Sequence, residues 1–289
     1  MRFLILLFSL ILALNNLSGQ INPNGIPIKF NAGDWKLVND DFGMCILGHN
    51  VIAGAILIIE HGNTDIEALK KQLESGYEEE GMQLFPSNNA ELEGDNKLFI
   101  RLSGNAQGNL IKGEAIGLLS DNNFCKGVIL LMLTQESADN SKQKAAIKKI
   151  AESITYHSPV VSAEWTQKLS GNKLISRDSY STSTSSPDGS FYTGGNSSNT
   201  TKYIFCSDKS FYYSNSSYTA LSGSGLDGNT DTSKDSDTGT WSVIQIGNNT
   251  VVKFMYSDGT VVYHPISREE GFYYMAGDKF NKGPSDHCN

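Results

Sequence analysis

The stretch from Gly239 to Pro265 alternates large and polar side chains in three short runs. The runs cover 241–246, 251–256 and 261–266, and they are separated by Gly-Asn-Asn at 247–249 and Ser-Asp-Gly at 257–259. Alternation with a period of two indicates strands with one buried face, and turns of the Asn-Gly and Asp-Gly class are typical of hairpins. The stretch therefore predicts a three-stranded antiparallel meander.

Two continuous apolar runs in the N-terminal half, at 55–60 and 128–134, predict strands that are covered on both faces. Between them, a capping box at Thr64 and Glu67 predicts the start of a helix that Gly81 ends. Apolar positions recur there at steps of three and four residues, which is typical of an amphipathic helix. These positions are Ile66, Leu69, Leu73 and Tyr77.

A second amphipathic helix is predicted to begin at Asn140 or Ser141. Its apolar stripe consists of Ile147, Ile150, Ala151 and Ile154. Further strands are predicted at 35–38, 44–47, 90–93, 98–103 and 110–119. Because two such helices bury their stripes on a sheet, this half is predicted to be an α/β sandwich of mostly antiparallel strands.

This order of elements resembles the PsbP-like fold over about residues 26–157. The resemblance is carried by a Trp-x-Leu strand that starts at Trp35 and by a closing helix that ends in Ala-Glu-Ser-Ile at 151–154. PsbP is an extrinsic subunit of the photosystem oxygen-evolving complex, and its fold recurs in small exported or adaptor proteins. The resemblance implies a binding or assembly module and brings no catalytic residues.

The composition changes after Tyr156-His157-Ser158-Pro159, which is the predicted linker because the residue before a proline is pushed out of helical conformation. Aromatic, Ser, Thr, Gly and Asn residues are dense beyond it. Besides the meander, strands are predicted near 173–183, 190–193, 202–206, 210–214 and 272–275, with a long polar loop over 222–238. Seven or eight short antiparallel strands within about 130 residues predict a small closed barrel.

The C-terminal half is similar to a lipocalin-like domain of exported bacterial proteins. The pattern consists of W-x-x-x-L-S-G-x-x-L from Trp165, F-C-S-D-x-S-F-x-Y from Phe205, G-T-W-S-V from Gly239, Y-S-D-G-T from Tyr256 and Y-Y-M-A-G-D-K-F from Tyr273. The resemblance implies the fold and no activity. The predicted fold class is thus α+β: a PsbP-like antiparallel α/β sandwich (21–158) followed by a small antiparallel lipocalin-like β-barrel (159–289).

Residues 1–20 predict a secretory signal peptide. Arg2 supplies the positive charge, the apolar run at 3–14 is shorter than the ~20 residues that usually span a bilayer, and 15–20 offers small and polar residues for cleavage. The expected location is secreted or periplasmic, with no membrane insertion after cleavage. A retained membrane anchor is the alternative interpretation.

The chain is acidic, with 23 Lys and Arg against 31 Asp and Glu and a formal net charge of −8. Neither half has the basic excess that neutralises phosphates, so nucleic acid is not expected as a partner. Four cysteines in an oxidising compartment favour disulfides. The predicted pairs are Cys45–Cys125 and Cys206–Cys288, one inside each domain, with buried free thiols as the alternative.

The sequence contains no nucleophile elbow, phosphate loop, HExxH or GxGxxG motif, and its five histidines lack ligand spacing, so no catalytic residue, metal site or cofactor is predicted. Asp227-x-Asn229-x-Asp231 begins like a calcium loop. The sixth and twelfth positions hold Thr where an EF-hand needs Gly and Glu, so a solvated loop is favoured. Calcium binding by this loop is the alternative interpretation.

The aromatic residues on the predicted C-terminal strands are the main functional indication. Adjacent pairs such as Tyr212-Tyr213 and Tyr273-Tyr274 send one ring to each face of a sheet. Core filling is one interpretation, and a ligand-lined pocket or a stacking platform for sugars is the other. The candidate ligand-binding residues are Tyr203, Tyr212, Trp241, Tyr256, Tyr263 and Tyr273.

Two functions are therefore considered. The first is an exported non-enzymatic module that binds a small apolar molecule, a glycan or a protein partner through the barrel mouth and the 222–238 loop. The second is an extracellular hydrolase that uses acidic residues of its own to cleave a polymer. Its candidate acids are Glu164, Asp208, Asp258 and Asp278, which form no motif.

Overall fold

The computed structural model describes residues 20–23, 25–79, 81–138, 140–185, 192–223, 230–246, 248–285 and 287–288. These residues are mostly in strands and form two compact units. The first unit comprises the described residues up to Pro159 and the segment Asp258–Tyr263. The second comprises Val160–Ser257 and His264–Asn289, and the change of unit at Pro159 falls at the end of the predicted linker.

The first unit contains twelve strands and two helices. The strands are β1 (Gln20–Ile21), β2 (Ile28–Asn31), β3 (Lys36–Asp41), β4 (Met44–Gly48), β5 (Ala55–His61), β6 (Tyr77–Glu79), β7 (Met82–Pro86), β8 (Glu91–Leu92), β9 (Lys97–Ala106), β10 (Asn109–Leu119), β11 (Gly127–Gln135) and β12 (Thr155–Tyr156). The helices are α1 (Ile66–Glu74) and α2 (Ser141–Ser153). A curled antiparallel sheet has the order β3-β4-β5-β11-β10-β9-β7-β6 with β8 beside β9, and β1-β2-β12 form a small second sheet.

Each face of the curled sheet carries its own hydrophobic core. On β5, Ile58 belongs to one core and the adjacent Leu57 to the other, because successive strand residues point to opposite faces. α2 contributes Ile150 to the first core, and α1 contributes Leu69 to the second. The apolar runs at 55–60 and 128–134 are continuous because both faces of β5 and β11 are covered in this way.

The boundaries of α1 differ from the predicted ones. Asp65, rather than Thr64, caps the helix, and its carboxylate accepts a hydrogen bond from the Ala68 N–H over 2.8 Å. The helix ends at Glu74 instead of reaching Gly81, because Gly76 takes a positive φ of 79° that turns the chain into β6. Tyr77 therefore lies on a strand and not on the helix.

The second unit contains a closed antiparallel barrel of eight strands. Its elements are β13 (Val160–Val161), α3 (Ala163–Leu169), β14 (Asn172–Ser185), β15 (Tyr192–Phe205), β16 (Ser210–Gly223), β17 (Thr230–Ile246), β18 (Asn249–Tyr256), β19 (Val261–Glu269), β20 (Phe272–Met275) and β21 (Asp278–Pro284). The order β17-β16-β15-β14-β21-β20-β19-β18 closes through pairing of β17 with β18. The predicted barrel is confirmed, and so are the three strands of the meander.

Four of the barrel strands are much longer than the others. Only 172–175 of β14 pair with β21, and only 239–246 of β17 pair with β18. The remaining parts of β14 to β17 pair only with each other and extend past the barrel as a four-stranded antiparallel sheet, which we call the ribbon (176–185, 192–201, 214–223 and 230–238).

The prediction of a long loop at 222–238 is wrong. β16 continues to Gly223 and β17 begins at Thr230, while residues 224–229 lie outside the described residues. The segment 230–238 consists of polar residues, so it lacks the apolar alternation that identifies a strand in sequence. Its backbone is nevertheless paired with β16 from Thr230 onwards.

The helix α3 covers the end of the barrel opposite to the ribbon. The Ser162 side chain caps it by accepting a hydrogen bond from the Trp165 N–H. Leu169 is fully buried in the barrel core, and Trp165 packs against that core. We refer to the two ends of the barrel as the α3 end and the ribbon end.

The structure has one of the two predicted disulfides. Cys206 and Cys288 are bonded, whereas Cys45 and Cys125 are buried and form no disulfide, so the predicted Cys45–Cys125 pair is wrong. Cys45 lies on β4, and β5 separates β4 from β11, which begins two residues after Cys125. Two strand spacings of about 4.8 Å exceed the ~7 Å between Cα atoms that a disulfide can bridge.

The predicted signal peptide at 1–20 lies outside the described residues, except for Gln20. Within the part of the chain that the structure describes, no helix has both the length and the apolar character needed to cross a bilayer.

Candidate functional site

Aromatic rings fill the inner part of the barrel. Phe205, Phe211 and Phe254 are fully buried, and Phe280 is 1% exposed. Ring centroids are 4.8 Å apart for Phe211 and Phe254, and 5.9 Å apart for Phe205 and Phe254. These separations are typical of packed aromatic pairs. This layer is therefore a solid floor for the side chains that lie nearer the ribbon end.

Tyr203 lies at the centre of the next layer. It is 7% exposed, and its ring centroid is 5.0 Å from that of Tyr213 and 6.2 Å from that of His264. Burial raises the pKa of its hydroxyl, and the nearby Tyr256, Tyr213 and Asp278 raise it further. The phenol stays protonated at physiological pH and can donate a hydrogen bond.

His264 belongs to the same layer. Its ring is half-buried, with the centroid 5.7 Å from that of Phe254. Burial lowers the pKa of the imidazole, so the ring is uncharged at neutral pH. A neutral imidazole has one nitrogen that donates and one that accepts. The layer thus combines aromatic faces with hydrogen-bond donors and hydrogen-bond acceptors.

A polar row follows this layer towards the ribbon. The backbone register aligns Ser176, Thr201, Asn215 and Asp235 across the four strands. The row continues the inward face of the barrel, because Asn215 follows the inward Phe211 and Tyr213 at steps of two.

The Oδ1 atom of Asn215 is buried and has no hydrogen-bond partner among the described residues. Leaving a buried carbonyl oxygen without a donor costs about 1–3 kcal/mol.

The two faces of the ribbon differ in charge. The inward face, which is continuous with the barrel interior, carries Asp178, Asp235 and Asp237. The outward face carries Arg177 and Lys234, and Lys202 lies on the same side of β15 just inside the barrel. Hydroxyl-bearing residues occupy most of the other described positions on both faces. The inward face therefore offers acceptors for hydroxyl groups beside the half-buried rings of Tyr213 and Tyr256.

We call the inward set at the ribbon end the barrel-mouth site. It consists of Tyr203, Tyr213, Asn215, Tyr256, His264 and Asp278. Asp278 is exposed at the start of β21 and forms part of the rim.

Only two of the six predicted ligand-binding residues, Tyr203 and Tyr256, belong to this site. Trp241 and Tyr273 are in the barrel core but towards the α3 end. The Trp241 indole N–H donates to the Cys206 oxygen over 3.1 Å, and the Tyr273 ring lies 6.0 Å from that of Trp165.

The other two predicted residues lie elsewhere. Tyr212 faces outwards, with its ring centroid 4.5 Å from that of His287. Tyr263 belongs to the first unit, where it is 8% exposed and its hydroxyl donates to the Glu60 carboxylate. The alternation within β16 separates Tyr212 from Tyr213, as expected for neighbours on a strand.

Four residues of the barrel-mouth site are not among the candidate ligand-binding residues: Tyr213, His264, Asp278 and Asn215. The least conspicuous of the four is Asn215. Its signal was present in the sequence, because Phe211, Tyr213 and Asn215 recur with a period of two on β16. A polar residue at the third position of such a series marks the point where the packed interior ends.

The acidic residues of the hydrolase hypothesis are not brought together in the second unit. Glu164 pairs with Lys168 on α3, and Asp208 accepts from Ser210 in the turn before β16, both towards the α3 end. Asp278 lies at the ribbon end, and Asp258 belongs to the first unit. Across the described residues, no group of three or more His, Cys, Asp or Glu side chains is arranged to hold a metal ion.

Comparison with known proteins identifies no family. No family model matches the chain, and no curated protein matches it. Among solved structures, it is similar to a protein of unknown function from the DUF3598 family of Nostoc punctiforme, at 11% identity and a TM-score of 0.14. The match covers 86% of this chain and 75% of that one, and a TM-score this low supports no inference about function.

Proposed function

We propose that this protein is an exported, non-enzymatic carbohydrate-binding module. In this proposal the C-terminal barrel is lipocalin-like, the PsbP-like first unit is a binding or assembly module, and a glycan occupies the barrel-mouth site. Export is supported by the sequence of residues 1–20 and by the Cys206–Cys288 disulfide, since disulfides persist in oxidising compartments.

The observation that carries the proposal is the solid aromatic floor beneath a polar mouth. Because Phe205, Phe211 and Phe254 fill the inner barrel, a ligand at the ribbon end meets half-buried tyrosine rings and oxygen acceptors. Sugars present one apolar face of C–H groups and a rim of hydroxyls, which suits that combination. The carboxylates of the inward ribbon face beside these rings favour a ligand that carries hydroxyl groups over a small apolar molecule.

The test measures binding of soluble five-residue oligosaccharides to the intact protein by saturation-transfer NMR and calorimetry. The probes are built from glucose, N-acetylglucosamine, mannose or galactose. We expect at least one of them to bind and Tyr213→Ala to weaken it about tenfold, which corresponds to about 1.4 kcal/mol of stacking.

Tyr212→Ala is the matched control, because it removes the same ring from the next residue on the outward face. It is expected to leave the affinity unchanged. Tyr213→Phe keeps the ring and is expected to retain most of the binding, which separates a lost contact from a misfolded barrel. Absence of binding by every probe at about 5 mM, which corresponds to roughly 3 kcal/mol, or equal losses in the two alanine variants, would overturn the proposal.

A further inference from the structure

The first unit contains a surface cavity of about 410 Å³. Its walls come from the connection between β2 and β3 (31–35), from the connection between β4 and β5 (49–52) and from one face of α2 (142–150). The volume lies within the roughly 300–1,000 Å³ that is typical of sites for small molecules. None of its lining residues belongs to the barrel-mouth site.

The floor of this cavity is apolar and rigid. Trp35 is 4% exposed, Ile150 is 1% exposed and Ala32 is 3% exposed, and all three belong to a core cluster of the first unit. The floor is therefore held in place by the packed core behind it, and the part of these side chains that reaches the cavity is apolar.

Small residues create the open space above the floor. α2 presents Ala145 and Ala146 to the cavity, and no heavy atom lies within 4 Å of the point where Gly33 would carry a Cβ. Gly33 also has a positive φ of 60°, which larger residues rarely adopt. A side chain of ordinary size at these positions would occupy the volume that a ligand needs.

His49 contributes a hydrogen-bond donor to the wall. Its Nδ1 accepts from the backbone N–H groups of Val51 and Ile52, each over 3.0 Å. The accepting nitrogen carries no proton, so the proton of the neutral ring lies on Nε2. The ring is held 5.5 Å from the ring of Trp35, which fixes its position beside the floor.

Two lysines of α2 supply positive charge at the rim. Lys142 and Lys149 are seven residues apart, which is two turns and about 10 Å along the same helix face. Neither forms a salt bridge with any residue that the structure describes. Asp34 is the one acidic residue of the lining, so the charge of the lining is positive on balance.

We propose that this cavity binds a small organic anion with a flat apolar body, of the aromatic carboxylate class. The aromatic body lies on Trp35, and the carboxylate accepts hydrogen bonds from His49 and from the two lysines. Apolar contact with a preformed floor supplies most of the affinity, and the charges at the rim select anions over neutral analogues.

The probe for the test is 1-naphthoate, and 1-naphthamide is its neutral isostere. Both are titrated into the intact protein while the indole N–H signals of Trp35, Trp165 and Trp241 are followed by ¹H–¹⁵N NMR. We expect 1-naphthoate to shift the Trp35 signal in a saturable way and 1-naphthamide to bind about fivefold more weakly. The signals of the other two tryptophans are expected to stay in place.

Three substitutions localise the binding. Lys149→Gln is expected to weaken 1-naphthoate about threefold to fivefold, whereas Lys148→Gln makes the same charge change on a neighbouring residue outside the lining and serves as control. Ala145→Phe fills the cavity from an exposed helix position and is expected to abolish the shift at Trp35.

Three results would overturn the proposal. They are equal affinities for the acid and the amide, equal losses for Lys148→Gln and Lys149→Gln, and absence of a Trp35 shift at about 5 mM 1-naphthoate, a limit of roughly 3 kcal/mol. The variants lie in the first unit, so this test is independent of oligosaccharide binding at the barrel-mouth site.

Discussion

The Nε2–H of His61 donates a hydrogen bond to the backbone oxygen of Leu118 over 3.0 Å within the first unit. His61 is 1% exposed, and its Nδ1 has no partner among the residues described. Burial lowers the pKa of the imidazole to about 4, although the hydrogen bond to Leu118 opposes the shift. The folded first unit therefore holds this ring in its neutral form.

His61 is expected to make the first unit less stable in acid. In the unfolded chain the ring takes up a proton below about pH 6.5, whereas the folded ring takes it up only below about pH 4. Stability from this group is therefore fully present above pH 6.5 and is lost as the pH falls towards 4, by about 3 kcal/mol.

The measurement is urea unfolding between pH 7 and pH 4, followed through the ¹⁹F signal of 5-fluorotryptophan at Trp35. His61→Gln is expected to flatten the pH dependence, because its amide can donate to Leu118 but does not titrate. His287→Gln, at an exposed position, serves as control. Equal slopes for wild type and His61→Gln would show that His61 does not titrate in this range.

The two thiols that are not in the disulfide are expected to be inert in the folded protein. Cys45 and Cys125 are both 0% exposed. Burial, with a further contribution from the charge of Asp40, raises the pKa of the Cys45 thiol to about 12, so the reactive thiolate is scarce at pH 8. Iodoacetamide should label neither residue under native conditions and should label both after unfolding in urea without reductant.

The mass of the iodoacetamide-treated, unfolded protein also shows whether the disulfide is present. Cys206 and Cys288 should stay unlabelled until a reductant is added, because they are bonded to each other. Peptide mapping assigns each label. Labelling of Cys45 or Cys125 in the native protein, or of Cys206 in unfolded but unreduced protein, would contradict the structure.

Phe254→Ala is expected to open a cavity in the barrel. The Phe254 ring contacts the rings of Tyr203, Phe205 and Phe211, with centroids 5.2, 5.9 and 4.8 Å away. Its removal should lower the free energy of unfolding of the second unit by about 3–5 kcal/mol. The dry, apolar space should then bind benzene, as apolar cavities of this kind do.

The corresponding measurement is thermal unfolding with and without saturating benzene. Benzene should raise the melting temperature of Phe254→Ala and leave that of the wild type unchanged. Phe272→Ala removes the same side chain from a half-buried position and serves as control. Stabilisation of the wild type by benzene would contradict the packed aromatic floor.

The sequence predicted the elements in which hydrophobic alternation or an apolar run dominates. The meander is an example, because each of its three strands contributes a large side chain to the barrel core, namely Trp241, Phe254 and Ile266. Cys206 and Cys288 could be paired because both lie in the same half of the chain. The barrel itself followed from the number and spacing of short strands.

Other features depend on contacts that sequence spacing does not contain. Ser and Thr strands without apolar alternation look like loops in sequence, so the pattern before Gly239 predicts a loop although β16 pairs with this segment. Cys45 and Cys125 share a half of the chain, but an intervening strand keeps them apart. The spacing of Phe211, Tyr213 and Asn215 is visible in the sequence, but the packed core is what shows that this face of β16 points into the barrel.

The registers of the ribbon are set inside the barrel. Tyr203 lies opposite Tyr213 and Phe205 lies opposite Phe211, and these packed rings fix how β15 and β16 align. The rows of the ribbon keep the same strand register because they continue these strands, and their Ser, Thr and Asn side chains contribute little to specifying it. Mutations in the ribbon can therefore accumulate at small cost to folding. The surface of the ribbon is therefore free to diversify on an unchanged barrel, much as variable loops do on an immunoglobulin framework.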